Sequence, residues 1–413
     1  MYEHDETSEP INPVVRAANQ LTARWCARLG GEDSLISAAG VWPLLALLAS
    51  AADEPAQAEL AAALGRPAAV ARQDALELLD ILRAGVSATA ALGIWTRKDI
   101  PLHEEWASQL PEGVGGQLTD QAALDRWATK ETGGLIDKFP LPITPDTALM
   151  LASALAARVC WGTPFDARPR NRDSGADDPA QQWLSRTTHS LGSAVVLDDS
   201  VTRIVVEGDV PVPDHLDEEV SAGDDIDVHL LLGNQHPSDV LATGLRELSG
   251  EAKVVSALYP DRVKGAPGLR VRREQSWDPN DQLYLKLPSF EIKAKHNLLD
   301  YADVFGLGAV TDPGASHLPL LSPVPLYISA GAQDVLARFF ATGFEAAAVT
   351  AFGMRTGALP KEKFQVTTVD VTFDRPFGFL AVHRPSGLAV VAGWVSSPFQ
   401  PTRGDEDVDL RVD

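Results

Sequence analysis

Cysteine is almost missing from these 413 residues, where only Cys26 and Cys160 occur. They stand far apart and form neither a CxxC pair nor a metal-ligand spacing, so a zinc ribbon or a disulfide-stapled mini-fold has no basis. Two reduced, buried thiols are favoured over a single disulfide between them. Positive charge is scarce as well: 35 Lys and Arg face 57 Asp and Glu, for a formal net charge of −22. A phosphate backbone would repel so acidic a surface, which argues against a nucleic-acid partner. The apolar runs, such as residues 41–52, are too short to span a membrane and end in charge, so no membrane partner is expected. Residues 1–13 are acidic and polar, without the basic and apolar regions of a secretory signal. The expectation is a cytoplasmic location, or export by a route the sequence does not display.

Catalytic motifs are wanting too. No GxSxG elbow is present, so an α/β-hydrolase nucleophile has no obvious home. Neither GxxxxGK[ST] nor GxGxxG occurs, which removes the simple nucleotide-binding readings. The nine histidines are scattered singly, with no HExxH or HxH cluster for zinc. His103 and His383 sit in turn-like contexts and read as surface histidines rather than catalytic bases. The chain is expected to be no enzyme, and to need neither metal nor cofactor.

What is present is a sizeable apolar fraction, 45%, with an ordinary 22% of charged residues. The first third patterns as helices over residues 14–29, 41–52, 53–64 and 71–82, with Asp53-Glu54-Pro55 as a cap and first turn. Residues 88–96 read as a buried strand, and 124–136 as a helix broken at Gly133-Gly134. The run TALMLASALAARVCW at 147–161 suits either a helix or a fully buried strand, and periodicity does not decide. Residues 167–193 and 210–227 read as polar loops. The second holds Asp214, Asp217, Glu218, Glu219, Asp224, Asp225 and Asp227, but lacks the EF-hand spacing and its glycine, so it reads as solvated. Arg262, Lys264, Arg270, Arg272 and Arg273 read as a solvated strand edge, with an anionic cofactor or polysaccharide as the other possibility. Residues 283–293 alternate like a strand with a bend at Pro288. Strands follow at 366–373, 377–383 and 387–395, the last two joined by a hairpin at Arg384-Pro385-Ser386. No repeat and no long linker interrupts the chain. One α+β domain over 12–400 is expected, with acidic termini at 1–11 and 401–413.

Several blocks, in order, resemble the serpin family. Residues 35–64 are similar to its second and third helices, with Ser37 matching a serine that opens a long buried helix. WATKETGGLI at 127–136 resembles the motif leading into its central sheet. Residues 147–165 are similar to its central strand and the W-x-x-x-F after it, with Trp161 and Phe165 matching. LKLPSFEIKAKHNLLDYADVFG at 285–306 and residues 374–398 match the remaining blocks. The resemblance implies the serpin fold: three β-sheets, eight or nine helices and an exposed reactive-centre loop. It also turns the ambiguous run at 147–161 into a strand.

Within that resemblance, GFEAAAVT at 343–350 matches the hinge of the reactive loop. Taken alone, an Ala-rich stretch favours helix. Flanked by the other blocks, Gly343, Phe344, Glu345, Ala346, Ala347, Ala348, Val349 and Thr350 read as a hinge whose small side chains can slide into a sheet. The family's fixed reach places the cleaved bond at Gly357-Ala358, which suits an elastase- or subtilisin-like pocket. Arg355-Thr356 is the rival and suits a trypsin-like one. The resemblance implies a monomeric suicide-substrate inhibitor of serine proteases. A non-inhibitory serpin-fold protein, cut as a substrate or used as a binding module, is the alternative. The family's habit also allows an extracellular location. Phe344 stands where the family usually has Thr or Ser, so its ring must find a pocket in the sheet. Ala341 and Thr342 replace a charged pair. Gln333 replaces a buried histidine and faces Ser153, which replaces asparagine, in the seam region with Ser37 and Trp161.

Overall fold

The computed structural model describes residues 11–398 apart from 85–87, 132–133, 135–137, 140, 145–146, 158, 170–181, 210–225 and 345–362. Four helices open the chain: Pro13–Cys26, Ala38–Ala49, Glu54–Leu64 and Ala68–Ala84. The first begins at a proline, whose missing N–H costs nothing there, and the Asn12 carboxamide accepts from the Val14 N–H at 2.8 Å. The third ends on Gly65 at φ 65°, a left-handed cap that favours glycine. Asp53 precedes that helix, but its carboxylate makes no capping bond. It meets His317 Nδ1 at 2.9 Å instead.

All 12 residues of Ala38–Ala49 are buried. This helix is apolar on every side because it packs against the other N-terminal helices and against two sheets. Trp42 at its centre sends its indole N–H to Leu64 O at 3.2 Å, so the buried ring leaves no polar atom stranded.

Three sheets and eight α-helices make up the described residues. The central sheet runs Gly208–Asp209, Val159–Trp161, Gly343–Phe344, Ala330–Phe340, Leu149–Ala157, Ala88–Arg97, Gly115–Leu118, with Phe290–Asn297 also on Ala330–Phe340. A seven-stranded sheet lies in the order Ser34–Ile36, Leu388–Val395, Phe377–His383, Ile226–Gly233, Val201–Val206, Ala194–Leu197, Val254–Ser256. A five-stranded sheet runs Leu269–Ser276, Phe364–Thr372, Gln282–Pro288, Gln182–Thr188, Asp166–Pro169.

The ambiguous apolar run is therefore a strand, Leu149–Ala157, paired on both sides. Burial on both faces removes the alternation that marks a strand in sequence. The alternating run after residue 282 divides at Ser289 and serves two different sheets.

Four expectations need correction. Residues 167–193 are not one loop, since Asp166–Pro169 and Gln182–Thr188 pair as strands of the five-stranded sheet. Their residues are polar because that sheet is covered only in part. Ile226 and Asp227 are strand residues, and Asp227 pairs with Arg384 at 2.6 Å rather than lying in a solvated loop. The other acidic residues of that segment fall outside the described residues. His383 is buried at the end of its strand, with Nδ1 2.8 Å from Ser386 Oγ, while His103 is exposed. Of the two free thiols, Cys26 is buried, which pushes it up to about 12, and Cys160 is only half-buried.

Candidate functional site

The segment that opens at Gly343 meets the central sheet where its two middle strands part. Leu149–Ala157 and Ala330–Phe340 run parallel, with pairs from Met150–Ala330 to Leu155–Val335. Above Leu155 the first strand continues as Val159–Trp161, displaced from its neighbour. The short strand Gly343–Phe344 fills that gap, antiparallel to both sides: Phe344 opposes Phe339 and Val159, and Gly343 opposes Phe340 and Cys160. The reversal after Phe340 is pinned from the Trp161 side. Trp161 N donates to Thr342 O at 3.1 Å, Phe165 N to Ala341 O at 2.8 Å, and Trp161 Nε1 to Phe340 O at 2.9 Å. These are backbone carbonyl contacts, so Ala341 and Thr342 fill them without the family's charged pair.

Phe344 is 1% exposed. Its ring lies 6.3 Å from Phe379 of the seven-stranded sheet below, in an edge arrangement. Phe379 in turn meets Phe290 at 4.8 Å, and Phe290 stacks on Phe339 at 5.5 Å. Phe339 lies 4.9 Å from Trp161 and 5.7 Å from Phe165. The Arg186 guanidinium covers Phe165 at 4.4 Å, and burial holds that cation below its ordinary range. The slot is thus an aromatic box, and a phenylalanine fits it by ring-edge contact where a threonine would leave space.

Lower in the seam, Gln333 is fully buried and opposes Ser153. Its Nε2 donates to Ser153 Oγ at 2.9 Å and to Ser37 O at 2.8 Å, while its Oε1 accepts from Ser37 N at 3.0 Å. Ser37 Oγ donates to Val390 O at 2.7 Å and accepts from Gly40 N at 3.3 Å. One carboxamide, with both N–H groups and its oxygen engaged, ties the middle strands to the buried helix. Through Ser37 the tie reaches the sheet beneath. The helix comes so close that a Cβ on Gly40 would stand 3.0 Å from Ser153 Oγ. Opposite Gln333 on its other side is His296, whose Nε2 lies 2.7 Å from Leu35 O and whose burial lowers its pKa.

The structure therefore brings Ser153, Gln333, Trp161, Gly343 and Phe344 into one sheet and sets Ser37, the cap of the buried helix, against Gln333. Glu345, Ala346, Ala347, Ala348, Val349, Thr350, Arg355, Thr356, Gly357 and Ala358 lie outside the described residues. Sequence reasoning missed the aromatic box and Gly40. Phe339 and Phe379 sit in ordinary apolar runs, and Gly40 stands just ahead of the helical pattern at 41–52, where nothing in the sequence marked a close approach.

The family model described as "Serpin (serine protease inhibitor)" matches residues 16–174 and 266–398, which span the buried helix, both middle strands and the segment from Gly343. The chain belongs to the serpin family. Alaserpin of Manduca sexta is 24% identical over 391 residues, covering 89% of this serpin and 91% of that protein. Serpin48 of the insect Tenebrio molitor superposes with a TM-score of 0.65 at 15% identity, covering 96% and 99% of the two chains. Human thyroxine-binding globulin, complexed with thyroxine, gives 0.67 at 14% identity, covering 94% and 98%. At such identities these structures establish the serpin's fold, and the family supports a protease-inhibitor type of function in general.

Proposed function

We propose that this serpin inhibits serine-type endopeptidases as a monomeric suicide substrate. The observation that carries this reading is the Gly343–Phe344 strand, seated antiparallel above two parallel strands that pair directly below it. A chain running on from Phe344 in the same direction would enter the seam between Leu149–Ala157 and Ala330–Phe340. It would replace one set of parallel bonds with two antiparallel sets, a net gain of backbone hydrogen bonds. Alternation would put Ala346, Ala348 and Thr350 on the buried face after Phe344, with Glu345, Ala347 and Val349 outward. Small side chains at the buried positions keep the passage open.

In this mechanism the inhibitor contributes no catalytic group. The protease serine attacks the carbonyl carbon of Gly357, an ester forms, and the amine of Ala358 leaves. Arg355-Thr356 is the rival bond. Insertion then carries the tethered enzyme away and distorts its oxyanion hole before water can cleave the ester.

Incubation with subtilisin-, elastase- and trypsin-like enzymes tests the reading. A covalent complex that survives a denaturing gel is expected with at least one of them. Enzymes left fully active beside a merely cut loop would make the chain a substrate-type member of the family.

A further inference from the structure

We propose that the end of the five-stranded sheet beside the loop is a second docking surface for the target protease, centred on Trp277 and Phe364. This rests on the reading of the loop as protease bait. Both rings are exposed, at 44% and 43%. An exposed tryptophan and an exposed phenylalanine at the same end of a sheet mark an edge that a partner can cover.

Their position says which partner. Lys363 and Phe364 are the first described residues after the loop, and Phe364 opposes Ser276, the last residue of the neighbouring strand. Trp277 follows directly. Directly opposed residues share a face, so Phe364 and Ser276 lie on one side of the sheet end. Trp277 and Lys363 lie on the other, where the Lys363 ammonium stands 5.2 Å over the Trp277 ring. The two rings therefore flank, one on each face, the point where the loop rejoins the sheet.

Gly357 precedes Lys363 by six residues, at most about 20 Å of extended chain. An interface of about 800 Å² per partner is a disc roughly 16 Å in radius. An enzyme seated on the Gly357-Ala358 bond and facing the sheet reaches the two rings, on its leaving-group side, whenever those six residues span less than about 16 Å. The neighbouring charges are mixed, with Lys363 and Arg273 beside Glu274, Asp278 and Asp281. Apolar contact is what distinguishes the spot, and the fitting partner is a protease with an apolar rim beside the leaving-group side of its cleft.

The test is the rate at which intact chain disappears when mixed with subtilisin-, elastase- and trypsin-like enzymes. Wild type is compared with Trp277→Ala, Phe364→Ala, the double variant and Trp277→Phe, after thermal melting shows each is folded. With at least one enzyme, the double variant is expected to lose about tenfold in rate, a change of about 1.4 kcal/mol. Trp277→Phe should retain most of the rate. If Phe364→Ala disturbs the strand, Trp277→Ala alone decides, with a loss of about threefold or more expected.

Rates within twofold of wild type for every enzyme overturn the proposal, as does an intact chain that none of them cuts. A wild-type dimer that the double variant dissolves overturns it too, since the rings would then serve self-association. The covalent complex on the same gels is read separately. Slower cutting without a complex supports docking and removes trapping, whereas a complex formed by the variants at an unchanged rate supports trapping and removes docking.

Discussion

Gln333 and Ser153 face each other across the parallel seam of the central sheet, and the Gln333 amide donates to the Ser153 hydroxyl at 2.9 Å. Both side chains are buried, so a lost bond there leaves a polar group without water to replace it. Gln333→Ala strands the Ser37 N–H and carbonyl as well and is expected to lower unfolding free energy by about 2 kcal/mol. Ser153→Ala should cost about 1 kcal/mol, because Gln333 keeps its bonds to Ser37. Chemical denaturation of the two single variants and the double variant checks this. The double variant should lose less than the sum of the two, by more than the ~0.5 kcal/mol scatter of independent sites.

Phe344 is already seated on Phe379 before any cut. Phe344→Thr is therefore expected to destabilise the intact chain by about 2 kcal/mol through the space it leaves. It should not raise the share of covalent complex over simple cleavage, because the ring's entry into the sheet precedes the cut. Denaturation curves measure the first effect and gel densitometry against a cutting protease the second. A marked rise in complex would mean that the ring obstructs insertion.

Cleavage near Gly357 should raise the melting temperature considerably, since a new strand is added to the centre of a sheet. Ala348→Arg should abolish that rise while leaving the uncut chain unchanged. On insertion that position would face the interior, where an unpaired guanidinium is too costly to bury. Calorimetry before and after a clean cut checks both halves.

Acid should destabilise the fold through His229. It lies in the strand Ile226–Gly233 with Nδ1 4.0 Å from Glu247 Oε2, and Arg203 approaches the other carboxylate oxygen at 3.4 Å. Burial first, and the Arg203 charge second, push the imidazole down to about 3. The unfolded chain takes up this proton near pH 6.5, so the stability from neutral His229 is complete above about 6.5 and drains away as pH falls toward the folded value. Burial moves the Glu247 carboxyl up, which acts in the opposite sense, its share being lost as pH rises through that folded value. His229→Gln is expected to flatten unfolding free energy against pH by up to about 1.4 kcal/mol per pH unit between about 4 and 6. Denaturation midpoints across that range measure the slope.

Much of the C-terminal third was legible in the sequence. Phe364–Thr372, Phe377–His383 and Leu388–Val395 fall where apolar β-formers are punctuated by turn residues. The strand Gln182–Thr188 was not, because its polar residues are what a partly covered sheet tolerates and they look like loop. His383 was misread for a related reason. Its neighbours Arg384, Pro385 and Ser386 mark a turn, but burial at the strand's end depends on what packs over it.

The chain's own residues determined that a run of small side chains extends over Ala346 to Thr350, that Gln333 brings a carboxamide where the resemblance to serpins implies a histidine, and that Phe344 is too large to enter a sheet without a pocket. These are matters of side-chain size and hydrogen-bonding capacity, which a residue carries wherever it is placed. Only the tertiary structure decided that the pocket exists. It is made by Val159, Phe339 and Phe379, which come from three strands and two sheets. Likewise, Gln333 finds Ser153 through the parallel register of the two middle strands, and Ser37 only because the buried helix comes close to the seam at Gly40. Contacts between residues so far apart in the chain depend on the register and layering of whole sheets, which no local stretch encodes.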